Sequence, residues 1–233
     1  MGLTALERNE SYSDKAYMQL KELIITNQIK PGQALNEREL SEQLQVSRTP
    51  IRDALKMLEK EGWILINGKN RMVSLLTKKT VKNLIEIRCP IELLAFDLFA
   101  KKFKREDLAV FQDICDQMHR LSQDIDHTNY YKLMQMDTLF HRQIAVITEN
   151  EQVINIVTGL GDQIVRTSVL SVKYGRLPVN AYAQNHDYLQ KHFIAMDMVK
   201  ARAALIEHIG MWQKHLERIP GLYSEGGNDD LVY

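Results

Sequence analysis

Four residues in the C-terminal two thirds of the chain have the types and spacing of a metal site. Asp137 and His141 lie four positions apart, which places a carboxylate and an imidazole side by side on one helix face. His186 and His208 lie 11 residues before and 11 residues after Asp197, so they come level if the flanking helices form an antiparallel hairpin. One carboxylate and three imidazoles would form the mixed oxygen and nitrogen ligand set that suits zinc, nickel or manganese. Spacing alone leaves open a second interpretation, in which each histidine is a hydrogen-bonded residue of an ordinary core.

Apolar residues at helical spacing indicate the elements that would position these side chains. Asp137 and His141 share a face with Phe140 and Ile144, and comparable apolar neighbours surround the other two histidines. Arg88 continues the apolar face of an earlier helix, so it is predicted to face inward as well. Ionisable groups that face a core are costly unless they are paired, hydrogen-bonded or bound to a metal.

From residue 80 onward the sequence predicts helices and no strand. These helices lie near residues 80–102, 105–124, 128–148, 151–173, 180–195 and 198–217. The pattern predicts an all-α bundle that encloses a pocket between facing helices. The remaining histidines are predicted to be structural or surface residues: His119, His127, His192 and His215.

A second group of residues, between positions 36 and 73, has the arrangement of a DNA-binding helix-turn-helix. Ser47 is predicted to cap a helix that tolerates Pro50, because the proline falls in the first turn. An apolar stripe turns the polar side chains of this helix outward, and these are Arg48, Thr49, Arg52 and Lys56. Two arginines four apart at an exposed helix N-terminus suit a major groove. One guanidinium can bind guanine O6 and N7 there, and the other can hold a phosphate.

The segment before this helix supplies the first part of the motif. Asn36 is predicted to cap the preceding helix, with Glu39 reaching back to it in a capping box. A first helix around Tyr17 and Leu20 comes earlier, and the sequence at 29–32 breaks the chain between the two.

The segment after the helix predicts a wing. Two short apolar runs lie on either side of Asn67-Gly68, a dipeptide that favours a tight hairpin turn. Lys69 and Arg71 are predicted to place positive charge in the loop of that hairpin.

Positive charge is local to this part of the chain. Residues 1–76 hold 11 basic and 10 acidic side chains, whereas residues 47–71 hold six and three. A specific DNA-binding surface can have such a distribution. The alternative is a small helical bundle with a solvated basic face, which leaves the cap, the turn and the charged hairpin unexplained.

With these features, roughly residues 10–76 resemble the GntR family of bacterial winged-helix transcription regulators. The matching residues are Tyr17, Ile29-Lys-Pro-Gly32, Leu35-Asn-Glu-Arg-Glu-Leu40, Ser47-Arg-Thr-Pro-Ile-Arg-Asp-Ala-Leu55, Leu58 and Gly62. The resemblance implies DNA contacts at Arg38, Ser47, Arg48, Thr49, Arg52 and the wing residue Gly68. Asp53 stands where many members carry Glu.

Residues 80–217 resemble the all-helical FCD ligand-binding domain of the FadR subfamily. The matching residues are Leu84-Ile-Glu-Ile-Arg88 with Glu92, Asp137-Thr-Leu-Phe-His141, Thr148-Glu-Asn150, Asn185-His186, and Asp197 with His208. The resemblance implies one Asp and three His as metal ligands. It also implies a small carboxylic acid as effector, held by the metal and by an arginine. Arg88 occupies the position from which such an arginine comes, and Arg166 is a second candidate.

A chain of 233 residues is long enough for two domains and a mostly α fold. The predicted domains are a winged helix-turn-helix at 1–76 and an all-helical effector-binding and dimerisation domain at 80–220, with a flexible tail at 221–233. No segment approaches the roughly 20 apolar residues of a membrane span. Cys89 and Cys115 lack the CxxC spacing and suit a reducing compartment, so a cytoplasmic location is predicted.

Together these features predict a metabolite-responsive transcription regulator, specifically a repressor. In this hypothesis a homodimer binds a palindromic double-stranded operator. A small organic acid coordinates a divalent metal ion, zinc before nickel or manganese, pairs with Arg88 and shifts the population of two arrangements of the protein. Three alternatives remain: a regulator that senses the metal itself, a purely structural metal, and a metalloenzyme with an accessory DNA-binding domain.

Overall fold

The chain folds as a winged helix-turn-helix followed by an all-helical bundle, and the predicted fold class is confirmed. The computed structural model describes residues 11–123, 127–175 and 180–217, so the predicted tail at 221–233 lies outside the described residues. The chain divides into two compact units, of which one ends at Leu76 and the other begins at Thr77. Within the described ranges, no helix is long and apolar enough to cross a membrane.

The N-terminal unit combines three helices with a small antiparallel sheet. Its elements are α1 (Tyr12–Ile25), β1 (Ala34–Leu35), α2 (Glu37–Leu44), α3 (Arg48–Lys60), β2 (Ile64–Asn67) and β3 (Asn70–Val73). The strands are ordered β1-β3-β2. The sequence does not predict β1, because a strand of two residues is too short to show an alternating pattern.

The core of this unit lies between α1 and α3. Leu20 and Ile24 of α1 are buried, as are Ile51, Leu55 and Leu58 of α3. The apolar stripe predicted for α3 is therefore confirmed, and the opposite face of that helix is left to solvent.

The predicted capping box at the start of α2 is wrong in one respect. The Asn36 side chain accepts a hydrogen bond from the backbone N–H of Arg38, so it does cap the helix. Glu39, however, contacts the side-chain amide of Asn36 at 3.4 Å instead of its backbone N–H. An asparagine can donate as well as accept, and its amide therefore takes the partner that the backbone would have in a box built on serine or threonine.

Ser47 occupies the N-cap position of α3, but its side chain makes no capping hydrogen bond. A capping oxygen accepts from the second or third helical N–H, and the third helical residue here is Pro50, which has none. The Ser47 side chain is exposed at the helix N-terminus.

The wing is a hairpin whose turn is shifted by one residue from the prediction. Asn67 pairs with Asn70, so the two central residues of the turn are Gly68 and Lys69. Gly68 has a φ of +63°, a backbone conformation that favours glycine. Space does not require a glycine here, because no atom beyond its chain neighbours lies within 4 Å of where a Cβ would be.

Six long helices and a short 3₁₀ turn at Arg105–Asp107 form the described part of the C-terminal unit. The helices are α4 (Lys78–Phe99), α5 (Leu108–Gln123), α6 (His127–Ile147), α7 (Glu151–Gly175), α8 (Asn180–Ile194) and α9 (Met198–Glu217). They follow the predicted ranges closely, with the largest differences at the end of α4 and the start of α5.

A cluster of phenylalanines holds four of these helices together next to the candidate site. Its members are Phe96, Phe99, Phe103, Phe111, Phe140 and Phe193. The Phe140 ring on α6 also contacts the imidazole of His186 on α8, with 4.8 Å between ring centroids. Aromatic packing of this kind fixes the distance between α6 and α8.

The turn between α8 and α9 forms the hairpin that the sequence predicts. Met196 adopts a φ of +55°, and the Asp197 side chain accepts from the backbone N–H of Lys200 at 3.1 Å. Asp197 thus caps α9, and the two histidines on either side come level.

Candidate functional site

The four predicted metal ligands meet in the interior of the helical bundle. Asp137 and His141 come from α6, His186 from α8 and His208 from α9. All four are buried, and one potential ligand atom from each lies within 4.8 Å of the others. The cluster could therefore hold a metal ion.

The distances within this cluster suit a shared ion. The Nε2 atoms of His141 and His208 are 3.0 Å apart. Oδ1 of Asp137 lies 3.4 Å from Nε2 of His186 and 3.7 Å from Nε2 of His208. Ligands about 2.0–2.1 Å from one ion are separated by roughly 2.9 Å in octahedral and 3.4 Å in tetrahedral geometry. The four side chains thus approach the edge lengths of a coordination polyhedron.

The imidazole of His186 is oriented from outside the cluster. Its Nδ1 lies 2.8 Å from the backbone carbonyl of Tyr182, which fixes the proton on Nδ1 and leaves a lone pair on Nε2. That Nε2 is buried and finds no hydrogen-bond partner among the described residues. A backbone carbonyl behind a ligand histidine is a usual feature of metal sites.

Burial also keeps two of the histidines in the form that binds metals. Burial lowers the pKa of His186, and Asp137 opposes that effect without cancelling it. Burial also lowers the pKa of His208 well below its ordinary value, with a further contribution from the neighbouring His186 and His141. A neutral imidazole is the form that coordinates a metal ion.

Arg88 is buried beside the cluster and is paired with Glu92. Its Nε donates to Oε1 of Glu92 at 2.6 Å, and its guanidinium lies 4.4 Å from the ring centroid of Trp212. The predicted inward orientation of Arg88 is confirmed. Its Nη1, however, is buried without a hydrogen-bond partner among the described residues.

Glu92 connects this arginine to a candidate ligand. Its Oε2 lies 2.7 Å from Nδ1 of His141. Burial alone would raise the pKa of Glu92, but Arg88 and His141 outweigh that effect and hold it at about 2. Sequence reasoning assigns Glu92 no role, although its position four residues after Arg88 on one helix is a signal for the pair.

A small cavity of about 20 Å³ adjoins the cluster. Its lining residues are Arg88, Asp137, Tyr182, Asn185, His208, Met211 and Trp212. Such a volume holds about one water molecule. Arg166, the second predicted ligand-binding arginine, is buried on α7, and burial lowers its pKa to about 10. Among the residues that line this cavity, Arg166 does not appear.

The predicted DNA-binding residues all lie on the surface of the N-terminal unit. Those on α3 and at its start are Ser47, Arg48, Thr49 and Arg52, and they are joined by Arg38 of α2 and Gly68 of the wing. Arg38 pairs with Glu42 on its own helix at 2.9 Å, and Arg52 pairs with Glu37 at 3.0 Å. These residues belong to the elements that enter or flank a DNA groove in winged helices.

Arg71 differs from its predicted position in the wing loop. It lies in β3, is only 24% exposed at its side chain, and pairs with Glu37 at 2.7 Å. The residue after the turn glycine, Lys69, remains exposed and supplies the positive charge of the wing tip.

The other histidines lie apart from the cluster where the structure describes them. His119 on α5 pairs with Asp187 on α8 at 2.8 Å and is partly exposed. His192 is buried and contacts the Tyr188 ring. The side chains of His127 and His215 lie outside the described residues.

Sequence comparison divides the chain in the same place as its fold. Residues 12–73 match the family described as "Bacterial regulatory proteins, gntR family". Residues 83–211, more than half of the chain, match the family described as "FCD domain".

Two relatives are named as bacterial transcription regulators. The chain is 28% identical to the "Uncharacterized HTH-type transcriptional regulator YdhC" of Bacillus subtilis, covering 68% of this chain and 70% of that protein. It is 24% identical to the "Gluconate operon transcriptional repressor" of Bacillus licheniformis, covering 79% and 74% respectively. Among solved structures, E. coli McbR/YncC has a similar fold, with a TM-score of 0.74, 21% identity, and coverage of 89% of this chain and 98% of that one.

The buried pair of Arg88 and Glu92 predicts a large stability difference between two glutamates of α4. Glu92→Gln should destabilise the metal-free protein by about 3–5 kcal/mol, because it leaves the arginine charge buried without its counter-ion. The matched control is Glu86→Gln, which removes an exposed carboxylate whose contact with Lys82 is 3.8 Å long. Urea unfolding in a chelator, followed by circular dichroism, measures both. Equal stability of the two variants would contradict the assignment of Glu92 as the counter-ion.

Proposed function

Because the chain belongs to the gntR family of bacterial regulatory proteins and carries an FCD domain, it is a DNA-binding transcription regulator, and we propose that it is a repressor controlled by a metal-bound organic acid. The name of the gluconate operon relative supports the direction of regulation. The observation that carries the effector proposal is the buried, unpartnered Nη1 of Arg88, a residue that lines a cavity together with Asp137 and His208.

The proposed operator contacts begin at the N-terminus of α3. Arg48, Thr49 and Arg52 are exposed there, and the Ser47 side chain makes no capping hydrogen bond. Arginines at such a position can bind guanine edges in the major groove. Arg38 and the backbone at Gly68 would hold phosphates, which would fix the register of the helix on DNA.

The proposed operator is palindromic because we expect the protein to act as a homodimer. Two copies related by a two-fold axis would place their α3 helices in successive major grooves. Ile87 and Leu94, one heptad apart on α4, are large apolar side chains that the single chain leaves about half exposed. A second copy that packed against this face would bury both side chains.

Selection of binding sites from a random duplex library with the full chain tests the DNA assignments. The enriched sequences should be inverted repeats with half-sites about 10 base pairs apart. Arg52→Ala should bind the enriched duplex about tenfold or more weakly, because it loses a bidentate contact to a base. Arg105→Ala, which removes the same charge from an exposed position of the helical unit, should bind normally. Full affinity in Arg52→Ala would refute the assignment of α3.

The proposed ligands of the ion are Asp137, His141, His186 and His208. Four protein ligands leave open positions on a metal that accepts five or six, and a carboxylate of an organic acid could take them. The same carboxylate could accept from Nη1 of Arg88. The cavity of about 20 Å³ is too small for an organic acid as it stands, so binding would require lining side chains to move. A ligand that needs such movement binds two conformations unequally and can shift their populations.

Elemental analysis of protein purified without a histidine tag tests the metal site. The wild type should carry about one zinc, nickel or manganese ion per chain, and His141→Ala/His208→Ala should carry none, since it loses two of four ligands. His119→Ala is the control, because His119 pairs with Asp187 outside the cluster and its loss should leave the metal content unchanged. A wild type without metal would make the buried histidines structural residues.

A panel of carboxylates from acetate to citrate, measured by thermal shift, tests the effector class. At about 100 times its Kd, an effector should stabilise the metal-loaded wild type by roughly 2.7 kcal/mol, and it should leave the double histidine variant unaffected. The same acid should change affinity for the selected duplex. Switching by metal alone would favour a metal sensor, unfolding by chelation without any acid effect would favour a structural metal, and turnover of an acid would favour an enzyme.

A further inference from the structure

The Glu37 carboxylate lies between two arginines that come from different elements. Its Oε2 accepts from Nη2 of Arg52 at 3.0 Å and from Nε of Arg52 at 3.2 Å. Its Oε1 accepts from Nη1 of Arg71 at 2.7 Å. One side chain therefore joins the first turn of α2, the exposed face of α3 and the wing strand β3.

The contact with Glu37 occupies one edge of the Arg52 guanidinium and leaves another open. A guanidinium has five N–H groups in a fixed planar fork. Glu37 takes those of Nε and Nη2 on one side. The end of the fork, with one N–H on each Nη nitrogen, remains available. Two parallel N–H groups are what guanine O6 and N7 accept in the major groove.

Exposure shows which side of the pair faces outward. The Arg52 side chain is 54% exposed, whereas that of Glu37 is 23% exposed. The carboxylate is thus the less exposed member of the pair, and its contacts with Nε and Nη2 do not occupy the end of the fork.

Arg71 fixes the carboxylate from the opposite direction. It is only 24% exposed, and its Nε lies 3.6 Å from Oε2 of Glu59 on α3. Held by Arg71 on one oxygen, Glu37 offers the other to Arg52 in a defined direction. A glutamate without this second contact would be free to rotate away from α3.

We propose that Glu37 is a positioning residue that directs Arg52 to a base edge and so contributes sequence specificity. An untethered arginine can reach phosphates, which are the same in every sequence and supply non-specific affinity. The carboxylate opposes that use, because it holds the guanidinium in one rotamer and repels phosphate. This inference rests on the proposed function of α3 as the operator-binding helix.

The test asks whether base preference depends on the charge of Glu37 or on the position of its carboxylate. It uses the full chain and the duplex selected by the wild type. Single base changes in that duplex locate the base pair whose preference is lost in Arg52→Ala. At that base pair, Glu37→Gln should lose about tenfold of the wild-type preference. Its affinity for a duplex of unrelated sequence should stay the same or rise, because a negative charge has been removed.

Two further variants separate the alternatives. Glu37→Asp keeps the charge but withdraws the carboxylate by one methylene, so it should also lose base preference. Glu39→Gln removes the same charge from the same helical turn, where Glu39 contacts the Asn36 side chain, so it should keep the preference. Thermal melting checks that each variant is folded.

Three outcomes would overturn the proposal. Wild-type preference in both Glu37→Gln and Glu37→Asp would show that Arg52 needs no positioning. Equal gains in affinity for all duplexes in Glu37→Gln would show a charge effect alone. If the wild type enriches no sequence, or Arg52→Ala keeps every base preference, the proposed function of α3 fails and this inference fails with it.

Discussion

The arrangement of the C-terminal unit depends on the ion pair that Arg88 and Glu92 form inside it. Two charges removed from water cost several kcal/mol each unless their geometry and remaining hydrogen bonds compensate. Here Nε and Oε1 are 2.6 Å apart, Trp212 covers the guanidinium, and His141 approaches the second carboxylate oxygen. The pair thereby links α4 to α6 and α9. A change at any of these three contacts would alter the surroundings of a candidate metal ligand.

The N-terminal unit uses a carboxylate in a related way, but in a different solvent environment. Glu37, like Glu92, lies between an arginine with a proposed function and a second cationic or imidazole group. Its pairs are partly exposed, so they contribute little to stability and are screened by salt. What they can provide is orientation. The buried pair fixes the interior of one unit, and the exposed pair restricts the side-chain rotamers at the surface of the other.

Much of the site could be predicted from spacing because helices make spacing regular. Asp137 and His141 are one turn apart, and the cap at Asp197 brings His186 and His208 level. The contact of Glu92 with His141 was missed because the two residues lie on different helices, and single-sequence periodicity shows which residues face inward but not which of them meet. The position of Arg71 was predicted wrongly for the same reason. Its partner Glu37 is 34 residues earlier, and their contact depends on β1, a strand too short to predict.

The geometry around Arg88 constrains how a ligand could act on this protein. Glu92 already occupies the Nε side of the guanidinium, so an incoming carboxylate would have to bind at Nη1. It would also have to enter the cavity that Arg88 lines. That cavity holds about one water, and filling it with more atoms would displace Trp212, Met211 or Tyr182 from their present packing. Close-packed protein interiors respond by changing between discrete arrangements and not by small continuous shifts. A ligand bound here must therefore favour one arrangement over another, and that unequal affinity is the thermodynamic requirement for control of DNA binding by the other unit.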